Sequence, residues 1–285
     1  MKNLVLGVAS SLALSGAAYA EPPMWRVSDA DSEIYLFGSV HVLKPTTQWR
    51  TEALNSVIES ADEIYFELPM TAEAQAAGQA LVPQYGVDVS TPLSSKLSAE
   101  QNEQLARVAG QFGLPATQLE PLQPWLVSVT LSMLTLQAQG YDPLSGVELT
   151  LAGEIEDSRE RFVETYADQF GFFANLSPEV QVEFLDITMD AIEEDPAALD
   201  PIVDAWESGD IDTLDTLFHE GMRASGDEVY NALILYRNEN WVGQIETMMA
   251  GAGETLMVVG AGHLVGENGV PNMLVERGYT VERVQ

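Results

Sequence analysis

The run Thr255-Leu256-Met257-Val258-Val259 is apolar at every position but its first. A strand with one face in water alternates polar and apolar side chains, whereas a strand covered on both faces does not, so this run predicts the centre of an α/β sheet. Gly260-Ala261-Gly262-His263 follows, then a predicted helix over 271–277 and a last strand over 279–284. At the other end, Met24-Trp25-Arg26-Val27 and Ile34-Tyr35-Leu36-Phe37 flank a polar turn and read as a hairpin. A helix is predicted over 49–60, and Glu63-Ile64-Tyr65-Phe66-Glu67 reads as a short buried strand stopped by Pro69. Residues 71–157 are helical in pattern, with Ser98 and Gln101 forming a capping box. A further strand is predicted over 161–165, a helix opens at Ser177-Pro178, and a long helix is predicted over 227–250. Arg237 lies on the apolar stripe of that helix with Leu233 and Trp241, where a guanidinium needs a carboxylate, a phosphate or bound solvent to face. The expected fold is α/β, a mixed central sheet flanked by helices with a helical insertion at about 71–157, in one domain over 21–285.

Met1-Lys2-Asn3 leads into an apolar stretch over 4–17 that closes on Ala18-Tyr19-Ala20, the small-x-small pattern that signal peptidases cut after. Residues 1–20 are therefore expected to be a signal peptide, and the mature chain to begin at Glu21 in the periplasm or outside the cell. The stretch is shorter than the roughly 18 to 20 residues that cross a bilayer, and no other run is long and apolar enough, so no membrane span is expected in the mature chain. Cysteine is absent, which excludes a disulfide framework and a thiolate nucleophile or ligand. A hydrophobic fraction of 46% suits an ordinary core. The net charge of -32 repels nucleic acid and anionic membranes, so neither is an expected partner. Scattered as they are, the acidic residues read as a solvated surface, the alternative being a field that draws in cationic peptides or metal ions.

Two segments share one frame. Leu36-Phe37-Gly38-Ser39-Val40-His41 and Val258-Val259-Gly260-Ala261-Gly262-His263 are each an apolar strand followed by Gly-x-x-His, and they hold two of the three histidines in the chain. In an open α/β sheet, ligands bind beyond the carboxyl ends of the strands, so two imidazoles delivered this way can face a shared crevice as metal ligands or as general acid and base. Glu67 and Glu164 end their predicted strands in the same manner. Two histidines and a carboxylate, His41, His263 and Glu67, are enough to hold a divalent ion and leave a position for water. His219 has no such partner in sequence and reads as structural or exposed. The chain has no His-Glu-x-x-His helix, nucleotide-binding glycine loop or Gly-x-Ser-x-Gly elbow, which removes the main support for the commoner zinc protease, nucleotide and serine hydrolase readings.

With Asp62-Glu63-Ile64-Tyr65-Phe66-Glu67 after the first frame, Arg237-Asn238 before the second, and Gly278-Tyr279-Thr280-Val281 near the end, the chain resembles the TraB/PrgY/GumN family, which also includes the animal Tiki proteins. The resemblance covers nearly all of the mature chain. It implies an α/β core related to the erythromycin esterase and ChaN-like proteins, and metal-dependent hydrolysis, with peptide cleavage attached to the best-understood branch. It implies a catalytic set of His41, Glu67 and His263, with Arg237 and Asn238 as its other polar signature. Gly146-Val147-Glu148 stands where relatives often have Gly-Val-Asp, and Val163-Glu164-Thr165 where they have Leu-Glu-Thr, so both positions keep a carboxylate. The expected function is an exported hydrolase of peptides or other small molecules that uses a divalent ion, with Arg237 stabilising an oxyanion or holding a substrate carboxylate. The alternative is a non-catalytic periplasmic binder that sequesters a peptide or a cation.

Overall fold

A computed structural model describes residues 21–285. The signal peptide expected at 1–20 lies outside the described residues. The strands are β1 (Met24–Ser28), β2 (Ser32–Ser39), β3 (Glu63–Phe66), β4 (Glu160–Phe162), β5 (Gly253–Gly260) and β6 (Thr280–Arg283). They form one sheet in the order β4-β3-β5-β2-β1-β6. Strands β4, β3, β5 and β2 run parallel to one another, while β1 pairs antiparallel with both β2 and β6, so the sheet is mixed. The all-apolar run is the inner strand that its composition predicts: Leu256, Met257, Val258 and Val259 are completely buried between β3 and β2. Burying one such side chain is worth about 1.5–3 kcal/mol, so this strand is a principal source of stability.

The chain between β3 and β4 is a series of helices, the first at Ala72–Tyr85 and the last at Val147–Ala152, and a second helical stretch runs from Tyr166 to Met249 between β4 and β5. Both helical stretches leave from the carboxyl ends of parallel strands and return to the amino ends of others. The capping box at Ser98 and Gln101 is formed, and Ser177 caps the helix Pro178–Glu194. Three stretches differ from the sequence pattern. The strand expected over 161–165 is Glu160–Phe162, so Glu164 lies just past its end. The helix expected over 49–60 begins at Glu52, because Thr51 caps it by accepting from Leu54 N, while Trp49 packs its ring against Phe37 at 6.4 Å ahead of the cap. The helix expected over 227–250 is not continuous. Asp227–Tyr230 leads into a π turn at Asn231–Leu235, where Tyr236 N–H donates to the Asn231 carbonyl five residues back, and only then into the helix Tyr236–Met249. Among the described residues no helix is long and apolar enough to cross a membrane.

Candidate active site

Each of the four parallel strands delivers polar groups to the same edge of the sheet, beyond its carboxyl end: Ser39 and His41 from β2, Glu67 from β3, Glu164 from β4, and Gly260 and His263 from β5. The duplicated Gly-x-x-His frames therefore lie on adjacent parallel strands, with Ser39 opposite Gly260. The glycines permit this closeness. A Cβ on Gly38 would come within 3.1 Å of Ala261 Cβ, so the two loops touch with almost no space between them. A Cβ on Gly260 would meet Glu67 Oε1 at 3.2 Å, His263 Cδ2 at 3.4 Å and His41 Nε2 at 3.5 Å, which puts Gly260 at the floor of the cluster.

The loop carrying His41 is strapped by residues 142–148. Leu43 and Asp142 exchange backbone hydrogen bonds, and Val147 N–H donates to the Val40 carbonyl at 3.1 Å. Gly146 allows this approach, since a Cβ there would overlap the carbonyl of His41. The strap brings Glu148 under the imidazole: its carboxylate, almost fully buried, pairs with His41 Nδ1 at 2.7 Å and accepts from the Ser39 hydroxyl. The other ring nitrogen, Nε2, is left toward the crevice, and 60% of the His41 side chain is accessible. Glu148 raises the His41 pKa to about 9, against the opposing effect of desolvation. Gly146→Ala is expected to push this loop aside. The His41–Glu148 pair should then break, and the His41 pKa, followed by NMR titration, should fall from about 9 toward the ordinary histidine value of about 6.5; an unmoved titration in a well-folded variant would show that the strap does not set His41.

Arg237 is buried at the centre of the cluster, and all of its N–H donors are engaged. Nε donates to Glu164 Oε1 at 2.8 Å. Nη1 donates to the Leu233 carbonyl at 3.2 Å and meets His263 Nε2 at 2.9 Å, and Nη2 donates to Glu67 Oε2 at 2.6 Å and Glu164 Oε2 at 2.8 Å. Of the partners open to a guanidinium on that stripe, the structure supplies carboxylates, Glu67 and Glu164. The oxyanion or substrate-clamp role expected for Arg237 does not suit this geometry, because no donor is left over. Since Nη1 can only donate, His263 Nε2 must accept, and the ring proton sits on Nδ1 and points at Asn238 Oδ1, 2.6 Å away. Burial, and then the charge of Arg237, hold His263 well below the ordinary histidine pKa, so the ring is neutral. Asn238 Nδ2 is anchored on the Asn268 carbonyl at 2.7 Å. Burial alone would raise the Glu67 pKa, but Arg237, His41 and the Gly260 N–H overcome this and hold it far below the carboxylate range.

All six residues expected at the site, His41, Glu67, Glu164, Arg237, Asn238 and His263, are brought into one contiguous network. The profile of the TraB/PrgY/gumN family matches residues 23–283, essentially all of the described chain. The chain belongs to the TraB/PrgY/gumN family. Two relatives share 21% identity with it over 269 residues, 92% of this chain and 95% of theirs: the uncharacterized proteins YbaP of Escherichia coli (strain K12) and of Shigella flexneri. No solved structure matches the chain.

The divalent ion expected for a TraB/PrgY/gumN protein finds two of its three donors in place. His41 Nε2 and Glu67 Oε1 lie 3.8 Å apart, a span that one ion about 2.0–2.2 Å from each can bridge. His263 does not fit as placed, because its Nε2 lone pair is taken by Arg237 and its Nδ1 faces Asn238. Among the described residues no group of three or more His, Cys, Asp or Glu side chains is arranged to hold a metal ion.

Several members of the network carry weaker signals in the sequence. Glu148 is marked only by its place in Gly146-Val147-Glu148, 107 residues from the histidine it orients. Gln169 bridges Glu67 and Glu164 at 3.1 and 3.0 Å, and Trp241 Nε1 donates to Glu164 Oε1 at 2.9 Å. No motif announces Gln169, whereas Trp241 lies four residues after Arg237 on the same stripe. His219 stands outside the network, buried beneath the loop after His263 with Nε2 at 3.2 Å from the Val265 carbonyl.

Proposed function

We propose that this protein is an exported hydrolase of amide bonds, with peptides among its substrates, in which His41 takes the proton of the attacking water. The observation that carries this reading is the His41–Glu148 pair: one ring nitrogen is fixed on a buried carboxylate and the other is open to a cavity, while the surrounding charges are locked by Arg237. Export rests on the signal-like pattern of the first twenty residues. In the reaction the water oxygen adds to the amide carbon, its proton passes to His41 Nε2 and then to the leaving nitrogen, and the C–N bond breaks. Glu148 holds the ring in the required orientation and stabilises the imidazolium. Glu67, kept anionic by Arg237, faces the same Nε2 and the same water position. The engagement of His263 by Arg237 leaves a divalent ion one donor short and favours His41 as a general base without a metal. In a second reading a divalent ion held by His41 Nε2 and Glu67 would supply Lewis acidity to the water or the amide carbonyl, with His41 then a ligand in place of the base.

The test is cleavage of a peptide library by the purified protein beside His41→Ala. General-base catalysis contributes about 10²–10⁴-fold, so His41→Ala should lose at least the lower figure while keeping its melting temperature. Equal cleavage by both proteins, or retention of intact peptide by the wild type, would overturn the hydrolase reading, the second result in favour of a binder. Loss of activity on chelation, restored by added divalent ion, supports the metal. Activity that survives exhaustive chelation supports the metal-free base.

A further inference from the structure

The network occupies only one end of a cavity of about 570 Å³. Every polar side chain that lines it belongs to that network, and the rest of the wall is apolar, with Leu136, Phe172, Ile202, Leu217, Met222 and Leu233 contributed by five helical segments. Leu136, Leu199 and Gly221 also line a second, neighbouring hollow of about 270 Å³, whose wall is more polar and includes Thr188 and Asp195. A chain with a net charge of -32 that keeps so large an uncharged hollow beside its most polar cluster is shaped for an amphipathic ligand.

Peptide main chain suits this wall poorly. Each residue of a peptide brings a donor and an acceptor, and an unpartnered one is costly to bury. The helices that form the wall engage their backbone groups among themselves, and the wall beyond the network offers no polar side chain. A linear acyl chain makes no such demand beyond its carbonyl. We infer that the cavity takes the acyl chain of an N-acylated substrate, with the amide carbonyl at His41 and the polar amine or peptide portion outside. This rests on the hydrolase reading above and narrows it to amides with a long apolar acyl group.

Gly221 provides the control. It is exposed on the helix Ile211–Ala224, lines both hollows, and a Cβ added there meets nothing within 4 Å. Gly221→Trp therefore sets an indole at the wall that the two hollows share with no clash at Cβ, and a melting curve verifies that the fold is kept. Calorimetric titration of His41→Ala, which binds without cleaving, uses acetyl, butyryl, hexanoyl and octanoyl glycinamide. Affinity should rise about fourfold for each added methylene. In the His41→Ala/Gly221→Trp double variant, the gain should stop after the short acyl groups. Affinity independent of chain length, a gain unaffected by Gly221→Trp, or equally tight binding of a trileucine amide would overturn the inference. Wild-type protein that binds the series with this length dependence and hydrolyses none of it would leave the inference standing and overturn the hydrolase reading. Hydrolysis of short and long amides at one rate would do the reverse.

Discussion

Arg237→Leu is expected to lose about 3–5 kcal/mol of stability at neutral pH, more than any other single change in the site, because it strands buried Glu164 with no cation and leaves buried Glu67 only the more distant His41. Glu67 and Glu164 are both almost fully buried and both take two-point or single-point support from this guanidinium. Gln169 and Trp241 would still donate to them, but neither carries charge. The loss should depend on pH with a definite sign. In the wild type Glu67 has a depressed pKa, so its pairing stabilises the fold above the ordinary carboxylate range and that contribution is lost as pH falls below it. In Arg237→Leu the stranded carboxylates can shed their charge by taking up protons, so the deficit relative to wild type should shrink as pH is lowered from 8 toward about 5. Urea unfolding of both proteins across that range measures the difference directly. Arg237→Leu as stable as wild type at pH 8, or a deficit that grows on acidification, would mean that the guanidinium is not what neutralises the cluster. Arg237→Lys keeps the charge but not the fork, and it should fall between the two, since one ammonium cannot reach all the acceptors that the guanidinium serves.

Glu148→Gln is expected to have the second large effect, on rate rather than stability. An amide still fits under His41 and can still accept from the ring, but it removes the negative charge that raises the His41 pKa to about 9. The rate at saturating pH should fall by about 10²–10⁴-fold as the imidazolium loses its counter-charge. The pH at which activity appears should move at the same time. With His41 as base, wild-type activity rises as the ring loses its proton near pH 9, whereas in Glu148→Gln the inflection should drop toward the ordinary histidine value of about 6.5. A lower rate with an unmoved inflection would assign Glu148 to the architecture of the loop alone.

The strand ends were readable because the apolar run at 255–259 can be satisfied only inside a sheet, and because the same Gly-x-x-His frame follows two strands. Those patterns are local, and they placed His41 and His263 on one edge before any contact was known. That Arg237 on an apolar stripe must face a carboxylate, a phosphate or bound solvent was readable for the same reason, but not which of the three. The saturation of its donors was not, since it depends on Leu233, His263, Glu67 and Glu164 meeting at one point from four parts of the chain. Glu148 was visible as a retained carboxylate but not as the partner of His41, because Leu43 pairing with Asp142 and Val40 with Val147 creates that contact through space. The π turn at Asn231–Leu235 escaped because Leu233, Arg237 and Trp241 fit an uninterrupted helical stripe equally well.

The strand order has a consequence for when the protein can become active. Strand β5, formed by residues 253–260, lies between β2 and β3, which precede it by almost two hundred residues. Until β5 arrives, β2 and β3 have no direct pairing with each other, His41 and Glu67 are held by no common neighbour, and Gly260 is not beneath them. Pairing over such separations is slow because the intervening chain must be closed into a loop first. Recovery of activity on refolding should therefore coincide with closure of the sheet rather than with the formation of helix, which is intrinsically faster.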